Sequence, residues 1–185
     1  MLNIPDEVFE IGILNREYHE RLLADLNKYA GIAGIPKEFV WAKLSAYCTD
    51  KDVEWVRRMR EGKDHGLVYE GSGFSVPIAD KMMAITGACL RNYIDARFMT
   101  VQDVLEQLKN GTMRSPTMVL VPNFCMPKDE ASSVAPWQAA SLLGWLYSRM
   151  AHDLKTVLYV GDMATLEKNY GEAMASHLRH HYTFL

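Results

Sequence analysis

The chain has 185 residues, of which 49% are hydrophobic and 23% are charged. That length is typical of a single domain, and that composition excludes a disordered or fibrous protein. The net charge of −3 excludes a protein that holds duplex DNA alone through many phosphate contacts, so we expect any contact with DNA to be weak or indirect.

Residues 6–30 have the spacing of a helix. One apolar stripe recurs at intervals of four, four and three residues, and it consists of Tyr18, Leu22, Leu26 and Tyr29. Gly31 and Gly34 are predicted to end this helix, and Pro36 begins an irregular segment.

A second helix is predicted between Thr49, which caps it with Asp52 at the third helical position, and Gly62, which ends it. Its two faces differ in polarity. The face predicted to be buried carries Val53, Val56 and Met59, and the face predicted to be exposed carries Arg57, Arg58 and Arg60.

From residue 66 onward, strands and helices alternate five times. The predicted strands are GLVYE, ARFMT, PTMVLVP, KTVLYVG and HHYTFL. A helix of about eighteen residues follows the first strand, and its buried face carries Ile78, Met82, Ile85 and Cys89. Thr100 and Asp103 cap the next helix, VQDVLEQLKNG. After a polar loop, NFCMPKDEASS, comes the helix VAPWQAASLLGWLYSRMAHDL. The last helix, ATLEKNYGEAMASHL, has a stripe of Leu166, Tyr170, Ala173 and Leu178. This alternation predicts an α/β domain with a mostly parallel sheet and right-handed crossovers.

A glycine-rich turn between the first strand and its helix is the most informative loop. It consists of Gly71, Ser72, Gly73, Phe74 and Ser75. A strand, a glycine turn and a helix N-terminus form a cradle for phosphate, but a P-loop also needs a lysine and a Ser/Thr. In the frame Gly-x-Gly-Lys-Ser, Phe74 stands in the lysine position and Val68 in that of the first glycine. An ordinary strand-to-helix turn is therefore the alternative hypothesis.

Several segments of the chain resemble segments of one protein family, and they occur in the same order along the chain. IPKEFVWAKLSAY resembles its linker, HGLVYEGSGFS its first strand and Walker A loop, and ARFMTVQDVLEQLKNG its second strand and helix. PTMVLVPNF falls at its Walker B strand, and KTVLYVGDMATLEKNYGEAMASHLR is similar to its sensor-1 strand and following helix. The family is that of the AAA+ bacterial replicative-helicase loaders, with a DnaC-like core, and of the related IstB-type transposition helper ATPases.

This resemblance implies a three-layer α/β core of the AAA+ or P-loop type. The core would span residues 36–185 and hold a five-stranded sheet in the order 5-1-4-3-2. Residues 1–35 would form a short N-terminal helical extension. Because the chain stops at the fifth predicted strand, we expect no C-terminal lid.

The departures from the family pattern fall on its catalytic positions. Phe74 replaces the Walker A lysine, and Pro122 and Asn123 replace the two Walker B aspartates. Asp162 keeps some of the polar character of sensor 1. The position of the family's arginine finger falls on or beside His177, and Arg179 is the nearby guanidinium. Phosphoryl transfer depends on these groups for positioning and charge neutralisation. The hypothesis is therefore a pseudo-ATPase without a cofactor, apart from residual ATP or ADP binding at residues 71–75, Asn123 and Asp162.

The function implied is a non-hydrolysing adaptor or regulator in DNA replication that contacts a replicative helicase or its loader. The stripe on helix 15–30 is the candidate partner contact, and packing on its own domain is the equal alternative. Two other functions stay open. One is a nucleotide-binding ATPase with an unconventional phosphate site. The other is a transposition accessory or decoy subunit that assembles with an active homologue, or with itself, through His177 and Arg179.

Three weaker candidates also have simpler explanations. No carboxylate or thiolate lies near His177, His180 and His181 in sequence to complete a zinc site. A polar helix end is therefore favoured, and no metal is expected. Nothing in the spacing of Cys125, His152 and Asp153 requires a nucleophile and base. Bases of single-stranded DNA stack on aromatic rings, but helical spacing favours packing in the core or at a subunit interface for Trp137, Trp145 and Tyr147.

The cysteines and the N-terminus indicate where the protein works. Cys48, Cys89 and Cys125 have no CxxC spacing and lie among apolar neighbours, which is typical of reduced, buried thiols. The N-terminus lacks the basic and apolar regions of a signal peptide, and no window approaches the roughly 18 apolar residues of a membrane span. We expect a cytoplasmic protein without a membrane partner.

Overall fold

The fold is built on one parallel sheet. The computed structural model describes residues 4, 6–59, 61–62, 64–127 and 134–185. The strands are β1 (Gly66–Glu70), β2 (Ala96–Phe98), β3 (Met118–Cys125), β4 (Lys155–Val160) and β5 (Tyr182–Phe184). Their order is β2-β3-β4-β1-β5 and every pair is parallel, which confirms the predicted fold class and strand order.

Helices cover both faces of this sheet and form the outer two of three layers. The helices of the described residues are α1 (Arg16–Ala24), α2 (Leu26–Ala33), α3 (Asp50–Arg58), α4 (Ile78–Arg91), α5 (Val101–Asn110), α6 (Pro136–Ala151), α7 (Met163–Tyr170) and α8 (Glu172–His181). On one face α3 and α4 pack against the sheet, and on the other α5 to α8 do. None of the helices that the structure describes is long and apolar enough to cross a membrane.

The central strands are apolar on both faces because both faces are covered. In β3, Val119 and Val121 pack on the side of α5 to α8, whereas Met118 and Leu120 pack on the side of α3 and α4. All four side chains are fully buried. This double burial is why β3 and β4 have continuous apolar sequences rather than an alternating pattern.

The N-terminal segment is less helical than predicted. The expected helix over 6–30 is replaced by a 3-10 turn at Asp6–Val8, then α1, then α2. Asn15 starts α1 by accepting a hydrogen bond from the Tyr18 N–H at 2.9 Å, and Asp25 interrupts the helix with φ −116°. Gly31 lies inside α2, and Gly34 ends it with φ +76°. At Gly34 a Cβ would lie 2.2 Å from the Phe98 carbonyl oxygen, so only glycine fits there.

Helix lengths differ from the predictions at two further places. Helix α3 ends at Arg58, before the predicted Gly62. Helix α4 has 14 residues rather than about eighteen, because the chain turns at Asn92 and Tyr93. In α3, Arg57 and Arg58 are exposed as expected; Arg60 lies outside the described residues, as do residues 128–133 of the predicted polar loop.

The last predicted helix is two helices. Gly171, at φ +90° and ψ 160°, separates α7 from α8 and changes the direction of the chain. The predicted apolar stripe therefore does not continue across the break. Ala173 is exposed, and Met174 and Ala175 take its place in the core. The helix also runs further than expected, so His180 and His181 end α8 instead of starting β5.

Candidate functional site

Three loops meet at the carboxyl edge of the sheet, where open parallel sheets bind ligands. The Gly71 N–H donates to the Val160 carbonyl at 3.1 Å, and the Gly161 N–H donates to the Cys125 carbonyl at 2.8 Å. A Cβ on Gly161 would lie 2.5 Å from the Pro127 backbone nitrogen, so the loops after β3 and β4 touch. The loops after β1, β3 and β4 therefore form one connected surface.

The loop after β1 contains two glycines with a positive φ. Gly71 and Gly73 have φ +97° and +85°, a region that favours glycine. The loop starts directly after Glu70, and α4 starts at Ile78. The P-loop motif GxxxxGK[ST] has eight residues and lies between a strand and a helix. If it begins at Gly71, Pro77 occupies the lysine position and Ile78 the Ser/Thr position.

The predicted frame, in which Val68 replaces the first glycine, does not match these bounds. Val68 lies in the middle of β1, where it is in register with Leu158 and Phe184 on the two neighbouring strands. Phe74 is then an interior residue of the loop rather than the residue at its helical end. In either frame the lysine position carries a side chain without an amine.

The Phe74 ring is half-buried beneath the loop. It lies edge-on to Tyr69 and Tyr159, with ring centroids 6.1 Å and 6.4 Å away. The Tyr159 hydroxyl donates to the Gly71 carbonyl at 3.0 Å. Side chains from β1 and β4 thus support the loop from below.

Asn123 has a role in helix capping. Its Oδ1 accepts a hydrogen bond from the Val101 N–H at 2.8 Å, and its Nδ2 donates to Gln102 at 3.0 Å. The strand register shifts between Val121 and Cys125, at a point where Pro122 has no N–H to donate. Both polar atoms of Asn123 are therefore engaged with the start of α5.

Asp162 is the N-cap of α7. Its Oδ1 accepts a hydrogen bond from the Thr165 N–H at 2.6 Å. Burial raises the pKa of the neighbouring Cys125 thiol to about 11, and the charge of Asp162 contributes to this rise. Cys125 is therefore protonated at neutral pH, which does not suit a nucleophile.

The other candidate nucleophile partners lie at the opposite edge of the sheet. His152 and Asp153 precede β4, whereas Cys125 ends β3. The Asp153 carboxylate pairs with Lys155 at 2.9 Å. The three residues do not form a catalytic group. All three cysteines are free thiols, and Cys48 is half-buried rather than buried.

The N-terminal apolar stripe packs on its own domain. Leu22 is fully buried, in a cluster with Val40 and Leu90. The Tyr18 hydroxyl donates to the Leu90 carbonyl at 2.5 Å, and its ring stacks on Tyr93 with centroids 3.9 Å apart. The remaining members, Leu26 and Tyr29, are half-buried against the same cluster. A partner that contacts Leu22 would have to displace α1 from this cluster.

His177 and Arg179 have different surroundings. The His177 side chain is 4% exposed, between the rings of Tyr147 and Tyr182, with centroids 4.6 Å and 5.8 Å away. Burial, followed by the charges of His181 and His65, lowers its pKa to about 4. Arg179 is at the surface and pairs with Glu167 at 3.1 Å. Within the part of the chain that the structure describes, no group of three or more His, Cys, Asp or Glu side chains is placed to hold a metal ion.

The aromatic residues on α6 do not form one packed stripe. Trp145 is buried and lies beside the Arg149 guanidinium, 5.6 Å from its ring centroid. Trp137 is 74% exposed and Tyr147 is also exposed, so only Trp145 packs in the core, and packing of the other two at a subunit interface stays a prediction.

Sequence reasoning missed a buried ion pair beneath the loop. Lys81 on α4 and Asp52 on α3 are joined at 2.9 Å, with the Tyr69 hydroxyl bound to the same carboxylate. From the sequence, Asp52 is predicted only as a capping residue. A signal was present at Lys81, because it lies among the buried positions of α4, and a charge there requires a partner.

Comparison with known proteins identifies the fold. No model of a known protein family matches the chain, and no curated sequence matches it. Several solved structures share its fold, among them the following three. The DnaI structure has a TM-score of 0.56 and 16% identity, over 82% of this chain and 90% of its own. The DnaC helicase loader structure has a TM-score of 0.55 and 15% identity, over 81% of this chain and 98% of its own.

The third similar structure is domain III of the Thermotoga maritima replication initiation protein DnaA. It has a TM-score of 0.52 and 12% identity, and the match covers 98% of this chain and 67% of that one. At these identities the likeness concerns the fold. The chain thus has the three-layer AAA+ core fold of the DnaI and DnaC helicase loader structures.

Proposed function

We propose that the protein is a non-hydrolysing adaptor or regulator in DNA replication, which acts through contacts with a replicative helicase or its loader. The replication setting is supported by the solved structures with the same fold, which include the DnaC helicase loader. A fold carries many functions, so the site has to support the rest of the proposal.

The observation that carries the proposal is the set of side chains at the carboxyl edge. Pro77 and Ile78 stand where a P-loop has its lysine and Ser/Thr, and Asn123 is bound to α5. Catalysis of phosphoryl transfer requires a cation on the phosphates and a carboxylate-held magnesium. Neither the lysine position nor Asn123 supplies such a group, which favours a fold that is kept for protein contacts.

A steady-state assay of magnesium-dependent ATP hydrolysis by the pure protein tests the absence of catalysis. We expect no turnover above that of a buffer blank, and measurable turnover would contradict the proposal. The bounds of the loop define a matched gain-of-function variant. If an ancestral site geometry persists, Pro77→Lys together with Asn123→Asp should restore ATP binding more effectively than Phe74→Lys with Asn123→Asp.

Capture from a lysate of the native host tests the adaptor role. The tagged full chain should retain a replicative helicase or its loader, identified by mass spectrometry. An Arg179→Glu bait tests whether this exposed side chain is part of the contact. Retention of a transposase would support the transposition accessory instead, and an empty capture would contradict the adaptor role.

A second candidate is a nucleotide-binding protein with an unconventional phosphate site. It is favoured by the backbone N–H groups of residues 72–76, which lie just before the N-terminus of α4. Within the described part of the chain, none of these N–H groups donates a hydrogen bond to a backbone carbonyl. Calorimetric titration with magnesium ATP should then show binding that Gly73→Asp abolishes. Gly111→Asp is the matched control, since Gly111 also has a positive φ but lies at the end of α5.

A further inference from the structure

One buried carboxylate joins α3, α4 and β1 beside the loop 71–77. Asp52, in the first turn of α3, is 1% exposed, and its Oδ2 accepts a hydrogen bond from the Lys81 ammonium at 2.9 Å. Its Oδ1 accepts a hydrogen bond from the Tyr69 hydroxyl at 2.7 Å. Lys81 belongs to α4 and Tyr69 to β1, so Asp52 links α3 to both elements that flank the loop.

The charges in this cluster are fully engaged. Oδ2 of Asp52 also accepts from the N–H and hydroxyl of Thr49, at 2.6 Å and 2.8 Å. Burial on its own raises the pKa of Asp52, but the hydrogen bonds from Tyr69, Lys81 and Thr49 outweigh it and lower the pKa below its ordinary value. The carboxylate is therefore ionised at neutral pH and attracts the buried ammonium.

The ammonium is connected to the loop through aromatic rings. Lys81 Nζ lies 4.8 Å from the ring centroid of Tyr69 and 5.6 Å from that of Phe74. Both distances allow a cation–π attraction. Phe74 is the middle residue of the loop 71–77, and its ring also contacts Tyr159. Because Tyr159 in turn holds the Gly71 carbonyl, the loop is held at its start and at its centre.

We propose that the Asp52–Lys81 ion pair and the rings of Tyr69, Phe74 and Tyr159 form a lock that holds the loop 71–77 in one conformation without a nucleotide. In P-loop proteins the loop backbone binds the phosphates of the nucleotide. Here the side chains of the lock, which belong to the fold itself, hold the loop instead. The inference rests on the proposed function in one respect, namely that the loop works without nucleotide.

The lock also couples α3 to the loop. Asp52 cannot move with α3 without leaving Lys81 unpaired in a buried position, which is strongly unfavourable. The outer face of α3 is exposed at Glu54 and Arg58, which pair with each other at 3.1 Å. A displacement of α3 would therefore release the loop.

Backbone ¹⁵N order parameters of residues 72–76 in the nucleotide-free full chain test the lock. We expect values of about 0.85, typical of a rigid backbone, in the wild type. In the double variant Asp52→Asn/Lys81→Met, which keeps the side-chain volumes and the cap on α3, we expect values below about 0.6. Glu54→Gln/Arg58→Met is the matched control, because it removes an exposed ion pair from the same helix and should leave the loop rigid.

Phe74→Ala provides a second test that leaves Asp52 and Lys81 themselves in place. It removes the ring between Lys81 and Tyr159 and should raise loop mobility while α4 keeps order parameters of about 0.85. A mobile wild-type loop overturns the lock. The lock is also overturned if the loop stays rigid in both Phe74→Ala and the double variant. If the double variant does not fold, a rigid loop in Phe74→Ala overturns it alone. Hydrolysis of ATP by the wild type would overturn the proposed function but leave these nucleotide-free measurements standing, so the two failures are distinguishable.

Discussion

Asn123 and His177 are two polar residues whose partners decide what they can do. Asn123 occupies a strand end that carries acidic residues in a Walker B motif, but its amide is bound to α5. His177 lies where the resemblance implies an arginine finger, but its ring is buried among other rings. Both residues therefore affect the stability of the fold, and the effect of each can be measured.

Replacing Asn123 should weaken the start of α5. Asn123→Ala removes the acceptor for the Val101 N–H and should lower the free energy of unfolding by about 1 kcal/mol. Asn123→Asp should cost less, because a carboxylate also accepts this bond and is favoured at a helix N-terminus. Urea denaturation measures both. Asn110→Ala, at the exposed end of the same helix, is the control, and an equal loss there would refute the capping role.

His177 should make the fold less stable in mild acid. Its pKa is about 4 in the folded protein, against an ordinary value of 6.5. Between these two values the unfolded chain binds more protons than the folded one, so stability falls as the pH is lowered through this window. We expect this residue to contribute a loss of about 2 kcal/mol between pH 7 and pH 5.

The measurement is urea denaturation at pH 7 and pH 5 in matched variants. His177→Phe keeps a ring among Tyr147, His181 and Tyr182 and should lose this part of the pH dependence. His180→Gln changes an exposed histidine on the same helix and should keep it. Equal pH dependence in the wild type and in His177→Phe would contradict the assignment.

At the scale of elements, the two helices α7 and α8 depend on one glycine. The φ of +90° and ψ of 160° at Gly171 are accessible essentially to glycine alone. Gly171→Ala should therefore lower the free energy of unfolding by about 1–3 kcal/mol.

A glycine inside a helix is the matched control for this substitution. A Cβ on Gly144, within α6, would meet nothing within 4 Å. Gly144→Ala should stabilise the protein by about 0.5–1 kcal/mol, because alanine is the better helix former. Thermal denaturation distinguishes the two, and a neutral Gly171→Ala would show that α7 and α8 can join.

The strands were predictable and some helix boundaries were not, for physical reasons. Two-sided burial gives β3 and β4 long apolar sequences, and the capping boxes of Thr49 with Asp52 and Thr100 with Asp103 form as predicted. The apolar spacing, however, continues across Asp25 and Gly171, where the chain breaks. A stripe of apolar residues specifies which side is buried, but it does not reveal a local change in backbone direction.

The candidate site was predictable only as far as it is local. Residues 71–75 follow a strand and precede a helix in both sequence and structure. The bond from Asn123 to Val101 and the pair of Lys81 with Asp52 join residues that are distant in sequence. Such contacts depend on how strands and helices pack, which no single segment encodes.

At the scale of the whole molecule, Arg91 ties the N-terminal segment to the core. Its side chain is fully buried, and it donates to the Val8 and Val40 carbonyls at 3.0 Å and 2.6 Å and to Glu10 at 3.0 Å. The expected division into an extension of residues 1–35 and a separate core therefore crosses a buried network. The two parts should unfold together.

Arg91→Met should lower the free energy of unfolding by about 3 kcal/mol or more, because it leaves Glu10 Oε2 and two carbonyls without their donor. Arg21→Met, which breaks an exposed pair with Glu17, should change it by less than about 1 kcal/mol. Denaturation followed by circular dichroism compares them. Equal effects would mean that the N-terminal segment is only loosely attached.

The order of the strands also governs how the chain can fold as it leaves the ribosome. The neighbours of β1 in the sheet are β4 and β5, so Gly66 pairs with Thr156 and Tyr182. A nascent chain that has emerged only as far as α4 holds β1 with both edges unpaired and its apolar side chains in water. Pairings so distant in sequence form slowly, and an unpaired apolar strand is prone to aggregate. Completion of this sheet is therefore expected only after most of the chain has been synthesised, with chaperones protecting β1 until then.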